Sequence, residues 1–183
     1  MNDGLHVPLA DGELRLEPLS EQHREGLRAA TAADGEIWAI YPTNYAGAAF
    51  DPQFDSLLAA PPQRRVYAII LDGQLAGMTA WIERGAPGWA VEIGNSFIAP
   101  ELRGTGLNGR IKRLMLGHAF ACGIRRVEFR VDVRNARSQA AVLKLGARKE
   151  GVLRAERITW NGHVRDTAVF SILSDEWSER TDR

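Results

Sequence analysis

Between Ala90 and Cys122 an apolar strand, a glycine-rich turn and an amphipathic helix follow one another with no linker between them. Ala90–Ile98 is rich in apolar residues and is closed by Pro100. Leu107–Cys122 carries Ile111, Leu114, Met115, His118 and Cys122 on one helical face, and Gly123 follows as the C-terminal stop. The junction is Arg103-Gly104-Thr105-Gly106-Leu107-Asn108. Such a turn exposes several backbone N–H groups at a helix N-terminus, where the dipole adds roughly half a positive charge. Two glycines let the backbone approach an anion without a Cβ in the way. Arg110, Lys112 and Arg113 stand on the next turns and could meet further phosphates. A Gly-x-Gly alone is equally a tight capped loop. It is not a P-loop, which ends Gly-Lys-Ser/Thr, nor a dinucleotide fingerprint, which has a third glycine in an early βαβ unit.

The rest of the chain sets this block in an α+β order. Glu13–Leu19 reads as a first strand, and Ser20 opens a helix to about Thr31. Residues 34–62 are rich in Gly, Pro and aromatics, with one short helix expected near Gln53–Ala60, stopped by Pro61-Pro62. Val66–Leu71, Leu75–Ile82 and Ala90–Ile98 are consecutive strands, the first two joined by the hairpin signal Asp72-Gly73. Arg126–Val133 is a strand, Arg137–Leu145 a short helix ended by Gly146, and Gly151–Trp160 with His163–Leu173 a hairpin through Asn161-Gly162. Long hairpins alternating with crossover helices imply α+β with a mixed, mostly antiparallel sheet flanked by helices. Residues 1–12 read as a loose lead-in, 13–177 as one domain and 178–183 as a tail.

Composition narrows the classes. A chain of 183 residues is one domain's worth. A single cysteine, Cys122, excludes a disulfide framework and a cysteine zinc cage, and a reducing, cytoplasmic setting is the natural reading. No apolar run reaches membrane-spanning length and no signal peptide is read. The net charge is zero, yet residues 1–62 hold ten Asp/Glu against three Arg, and residues 101–150 hold twelve Lys/Arg against four Asp/Glu. A basic half suggests an anionic ligand. The acidic half argues against nucleic acid and suits an amine.

Strand, Pro100-Glu101-Leu102-Arg103-Gly104-Thr105-Gly106, helix, strand, then Asn135 and Gly146, resembles the GNAT superfamily of acetyl-CoA-dependent N-acetyltransferases. Glu92-Ile93-Gly94, Asn135-Ala136-Arg137-Ser138 and Leu145–Gly151 are similar to its RimJ/RimL-type branch. The resemblance covers about residues 13–177. It implies a splayed central strand pair, acetyl-CoA as donor with no metal, and its pyrophosphate on the Arg103–Asn108 loop. It places the thioester beside the third strand near Asn95–Ile98, so that Phe97 and Ile98 join the cofactor site. Two positions depart from the pattern. Asn108 holds the last small position of the loop, and Val142 stands where many members carry a Tyr general acid.

Acetyl transfer requires loss of an ammonium proton, attack on a thioester and protonation of the leaving thiolate. Glu92 is the base candidate, on a strand with Val91, Ile93 and Phe97, where burial would raise its pKa. It could equally face solvent or pair with an arginine on the adjacent strand. Asn135 is a pantetheine ligand by resemblance and a helix N-cap by position. Ser138 could serve the leaving thiolate or cap the same helix. His118 is expected as a packed core residue and Cys122 as a small buried hydrophobe. His6, His23 and His163 lack metal-like spacing. In the family the segment Glu36–Phe50 lines the acceptor pocket, so Trp38 and Tyr41 are substrate-binding candidates, with Tyr45 and Phe50 alongside and Asp34 and Glu36 suited to an amine. The same aromatics could simply pack helices onto the sheet, and Trp81, Trp89 and Trp160 read as packing or edge residues. The acceptor is open between a protein N-terminal α-amine and a small amine. A CoA-binding sensor with little turnover and a nucleotide-binding adaptor are the rivals from other classes, and a homodimer is possible.

Overall fold

The computed structural model describes residues 4–59 and 63–181. Its strands are β1 (Leu9–Asp11), β2 (Leu14–Pro18), β3 (Arg64–Leu71), β4 (Gln74–Arg84), β5 (Ala90–Ile98), β6 (Arg126–Asp132), β7 (Arg148–Ile158) and β8 (Val164–Leu173). Its helices are α1 (Arg24–Ala32), α2 (Phe50–Leu58), α3 (Leu107–Ala121), α4 (Ala136–Lys144) and α5 (Ser174–Thr181). The strands form one sheet in the order β1-β2-β3-β4-β5-β6-β8-β7. Only β5 and β6 run parallel; every other neighbouring pair is antiparallel. This is the expected α+β mixed sheet. Asp72 and Gly73 both take positive φ, 50° and 75°, as the two-residue hairpin turn between β3 and β4 demands.

Two apolar layers form because strands alternate their side chains with period two. On one face Tyr67, Trp81, Val91, Ile93, Val127, Phe129 and Phe170 pack against Leu107, Ile111 and Met115 of α3 and Val142 and Leu145 around α4. On the other face Val66, Met78, Ala80 and Phe97 pack against Leu27, Trp38, Phe50 and Phe54. This second layer stops at β5. Beyond it the same face carries Glu92, Glu128, Asp132 and Arg165, all largely buried. The three carboxylates are paired: Arg84 with Glu92, Arg130 with Glu128, Arg126 with both Glu128 and Glu150, and Arg134 with Asp132, while Arg165 donates its Nη2 to the Arg130 carbonyl. Alternation explains the switch, since Val127, Phe129 and Val131 take the α3 side and leave the charged residues of β6 on the opposite one.

Several expectations need correction. The lead-in is not loose: β1 pairs with β2 through Leu9↔Leu16 and Asp11↔Leu14, and Leu5 is fully enclosed in the core. Helix α5 crosses residue 178, the expected start of a tail, and residues 182–183 lie outside the described ones. So do Ala60, Pro61 and Pro62, expected to end the second helix, which begins earlier than expected, at Phe50. The buried face of α3 is Leu107, Ile111, Lys112, Met115, Leu116 and Ala119. It is rotated from the expected one, so His118 is half-exposed, its Nε2 3.1 Å from the Gly4 carbonyl, and Cys122 is only partly buried. Part of the acidic first half is paired: Arg24 and Arg28 of α1 bind Asp51 and Asp55 of α2, while Asp34 and Asp11 bind Arg103 and Arg110 of the basic half. No described helix is long and apolar enough to cross a membrane.

Leu5→Ala should lower the unfolding free energy by about 2–5 kcal/mol, the usual cost of truncating an enclosed leucine. Denaturant melts check this, because a residue in a loose lead-in would leave the midpoint unmoved.

Candidate active site

The parallel pair at the sheet centre holds register only from Ala90↔Arg126 to Glu92↔Glu128. Past Glu92 the two strands part, which gives the splay that the resemblance implies. On its other side β5 changes register against β4: Met78 faces Phe97 while Ala80 faces Gly94. Asn95 and Ser96 thus oppose Thr79 alone, a β-bulge. Asn95 sits at φ 50°, a left-handed conformation unusual outside glycine. The bulge is held from the α1–α2 side by two phenols. Tyr41 Oη donates to the Ser96 carbonyl at 2.6 Å, and Tyr45 Oη donates to Asn95 Oδ1 at 3.1 Å. Burial pushes the Tyr41 hydroxyl up to about 12, so it remains a donor at neutral pH.

At the end of β5 the glycine turn leads into α3. Gly104 and Gly106 take φ of 82° and 89°, and Gly104, Thr105 and Gly106 are exposed. Thr105 Oγ1 donates to the Leu102 carbonyl at 2.8 Å, fixing the turn, and Leu107 anchors it in the core. Asn108 and Gly109 are among the first helical N–H groups, which have no intrahelical acceptor. The donor set therefore suits an anion. Arg103 differs from expectation. Its amide donates to the Pro100 carbonyl, its Nε donates to the Ile98 carbonyl at 2.9 Å, and its Nη1 pairs with Asp34. The guanidinium is turned inward over Phe97, away from the exposed turn. Asp34 is engaged in the same pair, which holds its carboxyl below the usual range, so it is not the free carboxylate expected for an amine. Arg110 likewise pairs with Asp11.

Glu92 lies on the charged face, not among the apolar side chains expected around it, because Val91 and Ile93 alternate to the α3 side. Nε of Arg84, on the adjacent strand, donates to its Oε2 at 2.7 Å. The other oxygen leans over Gly94, so that a Cβ built there would lie 2.6 Å from Glu92 Oε1. Glycine at 94 is what lets that carboxylate reach the start of the bulge. Asn135 Oδ1 accepts the Ser138 amide at 3.0 Å and caps α4, as its position suggested. Asn135 and Ser138 are both part-exposed at the open end of β6.

The aromatic segment divides. Trp38 is fully buried, stacked on Phe97 with centroids 5.1 Å apart, and its Nε1 donates to the Thr31 carbonyl. It supports the site from beneath and cannot line it. Phe97 is fully buried too, so only its backbone can serve a ligand, whereas Ile98 is partly open. Tyr41 does reach the bulge. Trp160, at the β7–β8 tip, donates its Nε1 to the Trp38 carbonyl at 2.7 Å and its amide to the Pro42 carbonyl. That tip therefore closes against the segment after α1. No group of His, Cys, Asp and Glu among the described residues is arranged to hold a metal ion.

Near the bulge one residue departs from the expectation. Lys112, assigned to outer phosphates, points inward: it is buried, and its Nζ donates to Thr79 Oγ1 at 3.2 Å and to Ser96 Oγ. Its spacing with Met115, Leu116 and Ala119 was the available signal.

Residues 13–148 match the family model for the acetyltransferase (GNAT) domain. Curated proteins yield no match. Among solved structures, a GNAT-family protein from Chromobacterium violaceum ATCC 12472 is 30% identical, with a TM-score of 0.84 and 94% of each chain covered. A GCN5-related N-acetyltransferase from Brucella melitensis is 28% identical, with a TM-score of 0.85 over 94% of this chain and 81% of that one. RimL, an alpha-N-protein acetyltransferase in complex with coenzyme A, shares the fold at 18% identity, with a TM-score of 0.77 over 93% of this chain and 99% of that one. A glycine turn at the α3 N-terminus, a central strand pair that parts, and a domain match over most of the chain agree: the protein belongs to the GNAT acetyltransferase family.

Proposed function

We propose that the protein transfers an acetyl group from acetyl-CoA to a primary amine. The observation that carries this reading is the position of the exposed Gly104–Gly106 turn at the end of β5, the strand that parts from β6. Amides from Gly104 to Gly109 would hold the pyrophosphate, with Asn108 adding its side-chain amide. Asn135 Nδ2, left over from capping, would hydrogen-bond the pantetheine arm. When bound, acetyl-CoA supplies the activated acyl thioester. The protein's part is to orient and to move protons. Glu92 Oε1, aimed by Arg84 and given room by Gly94, takes the proton of the incoming ammonium directly or through water. Ser138 Oγ holds or relays a proton for the departing sulfur. Backbone N–H groups in the bulge stabilise charge on the acyl oxygen.

The acceptor is an N-terminal α-amine or a small amine, which would approach the bulge from the side of residues 36–42, where Tyr41 reaches it. Similarity of Asn135–Ser138 and Leu145–Gly151 to the RimJ/RimL branch favours the α-amine. A CoA-binding sensor is the second reading, favoured by Val142, which is buried in the core where many family members hold a tyrosine acid. An acetylation screen over peptide N-termini, polyamines and aminoacyl conjugates, read by mass spectrometry, decides between them; CoA binding with no acetylated product in any class selects the sensor.

Three variants test the assignments. Gly106→Val forces a β-branched residue to φ 89°. The free loop should relax out of this conformation, so restoring it on binding costs ~1–2 kcal/mol and weakens acetyl-CoA about tenfold; unchanged calorimetric affinity in the folded variant moves the pyrophosphate elsewhere. Glu92→Gln keeps the shape and removes the basicity. It should lower kcat about 10²–10⁴-fold with little change in acetyl-CoA affinity and should flatten the acidic limb of the pH profile. Retention of more than about a third of kcat removes Glu92 from the mechanism. Ser138→Ala should lower kcat more than it weakens acetyl-CoA binding. A loss of about 1 kcal/mol in stability with normal kcat identifies a role confined to the helix end.

A further inference from the structure

Lys112 has no outward role in the site just described, and its surroundings are unusual for a lysine. It enters from α3 beneath the junction of β4 and β5 and is 4% exposed. No carboxylate lies within hydrogen-bonding reach among the described residues. Its partners are two hydroxyls, Thr79 Oγ1 at 3.2 Å and Ser96 Oγ. The direction of these bonds follows from the next link. Ser96 Oγ donates to the Gly94 carbonyl at 3.2 Å, so its oxygen accepts from Lys112. Thr79 Oγ1 also lies 2.9 Å from Ser96 Oγ and 3.8 Å from Met115 Sδ. The result is a chain from α3 through Ser96 to the Gly94 carbonyl, on the opposite side of the sheet from the phenols of Tyr41 and Tyr45. The bulge is therefore clamped from both faces.

A buried ammonium with only hydroxyl partners is costly, and a methionine would fill the same space at lower cost. We propose that Lys112 is a positioning residue: it fastens the Gly94–Phe97 backbone through Ser96 and, when protonated, sets a positive charge behind the amides that face the acyl group. The second half rests on the acetyl-transfer reading given above. Burial pushes the lysine down to about 7, with Glu92 on β5 the charged group that opposes this shift. Thr79 and Met115, facing it from β4 and α3, are uncharged. The sign is then set. Lys112 is charged below neutrality and loses its charge as pH rises through its folded pKa, so its electrostatic contribution is present on the acid side and fades on the alkaline side.

Two readouts test this, one without any ligand. In ligand-free protein, the amide resonances of Gly94–Phe97 should titrate near neutrality in the wild type and stay still in Lys112→Met. In acetyl transfer, Lys112→Met should lower kcat about tenfold or more, with KM for acetyl-CoA changed less than about twofold. Lys112→Arg should recover part of the loss, and the ratio of wild-type to Lys112→Met kcat should shrink as pH rises. If Lys112→Met does not fold, Ser96→Ala is the substitute, expected to speed hydrogen exchange at the bulge amides and to lower kcat in the same direction. A folded Lys112→Met with wild-type kcat, or bulge amides that titrate identically without the lysine, overturns the proposal. A wild type that acetylates no amine defeats the acetyl-transfer reading, while the ligand-free titration still decides whether Lys112 sets the bulge.

Discussion

The central constraint is that β5 and β6 can run parallel for only a few residues. They pair from Ala90↔Arg126 to Glu92↔Glu128 and then separate. A parallel neighbour needs a long crossover, and here the crossover is the glycine turn and α3. The end of β5, the start of α3 and the open end of β6 are thus brought around one gap. Everything assigned to the site lies at its edges: the bulge on β5, the exposed turn before α3, and Asn135 with Ser138 where β6 gives way to α4. A sheet paired along its full length would leave no such gap.

The bulge is the second point on which the site depends. An extra residue in β5 reverses the alternation, so Ile93 faces α3 and Phe97 faces Trp38. It also puts Asn95 in a left-handed conformation that costs energy unless neighbours hold it. Tyr41 and Tyr45 hold it from one side, and Lys112 holds it from the other. Most charged groups near the gap are held in place by partners. Arg103 braces Asp34, Arg84 orients Glu92, and the arginines of β6 pair with carboxylates of β6 and β7.

Much of the fold was legible along the chain. The strand limits Ala90–Ile98, the start of α3 and the Asp72-Gly73 turn follow from local chemistry: apolar runs, a glycine stop and a left-handed dipeptide. The loop Gly104–Asn108 was legible for the same reason. The side chains of the site were less so. Lys112 looked like one of three basic residues on a helix surface, and only the packing of α3 shows it turned under the sheet. Arg103 carried the motif, yet its partner Asp34 lies far away in sequence. The Leu9–Asp11 strand was too short to register, and it exists because β2 offers it an edge.

Local sequence, then, determined which segments are strands and helices, where the glycine turn meets a helix, and that an anion suits that spot. These properties depend on residues close together in the chain. Tertiary structure decided which charges are free and which are paired, because that depends on neighbours from other strands. It decided that Glu92 faces charged residues and Gly94, that Trp38 is a support and not a lining, and that Lys112 sits behind the bulge. Strand alternation settles which side a residue takes, but a single bulge reverses it, and the bulge arises only when β4 and β5 are paired.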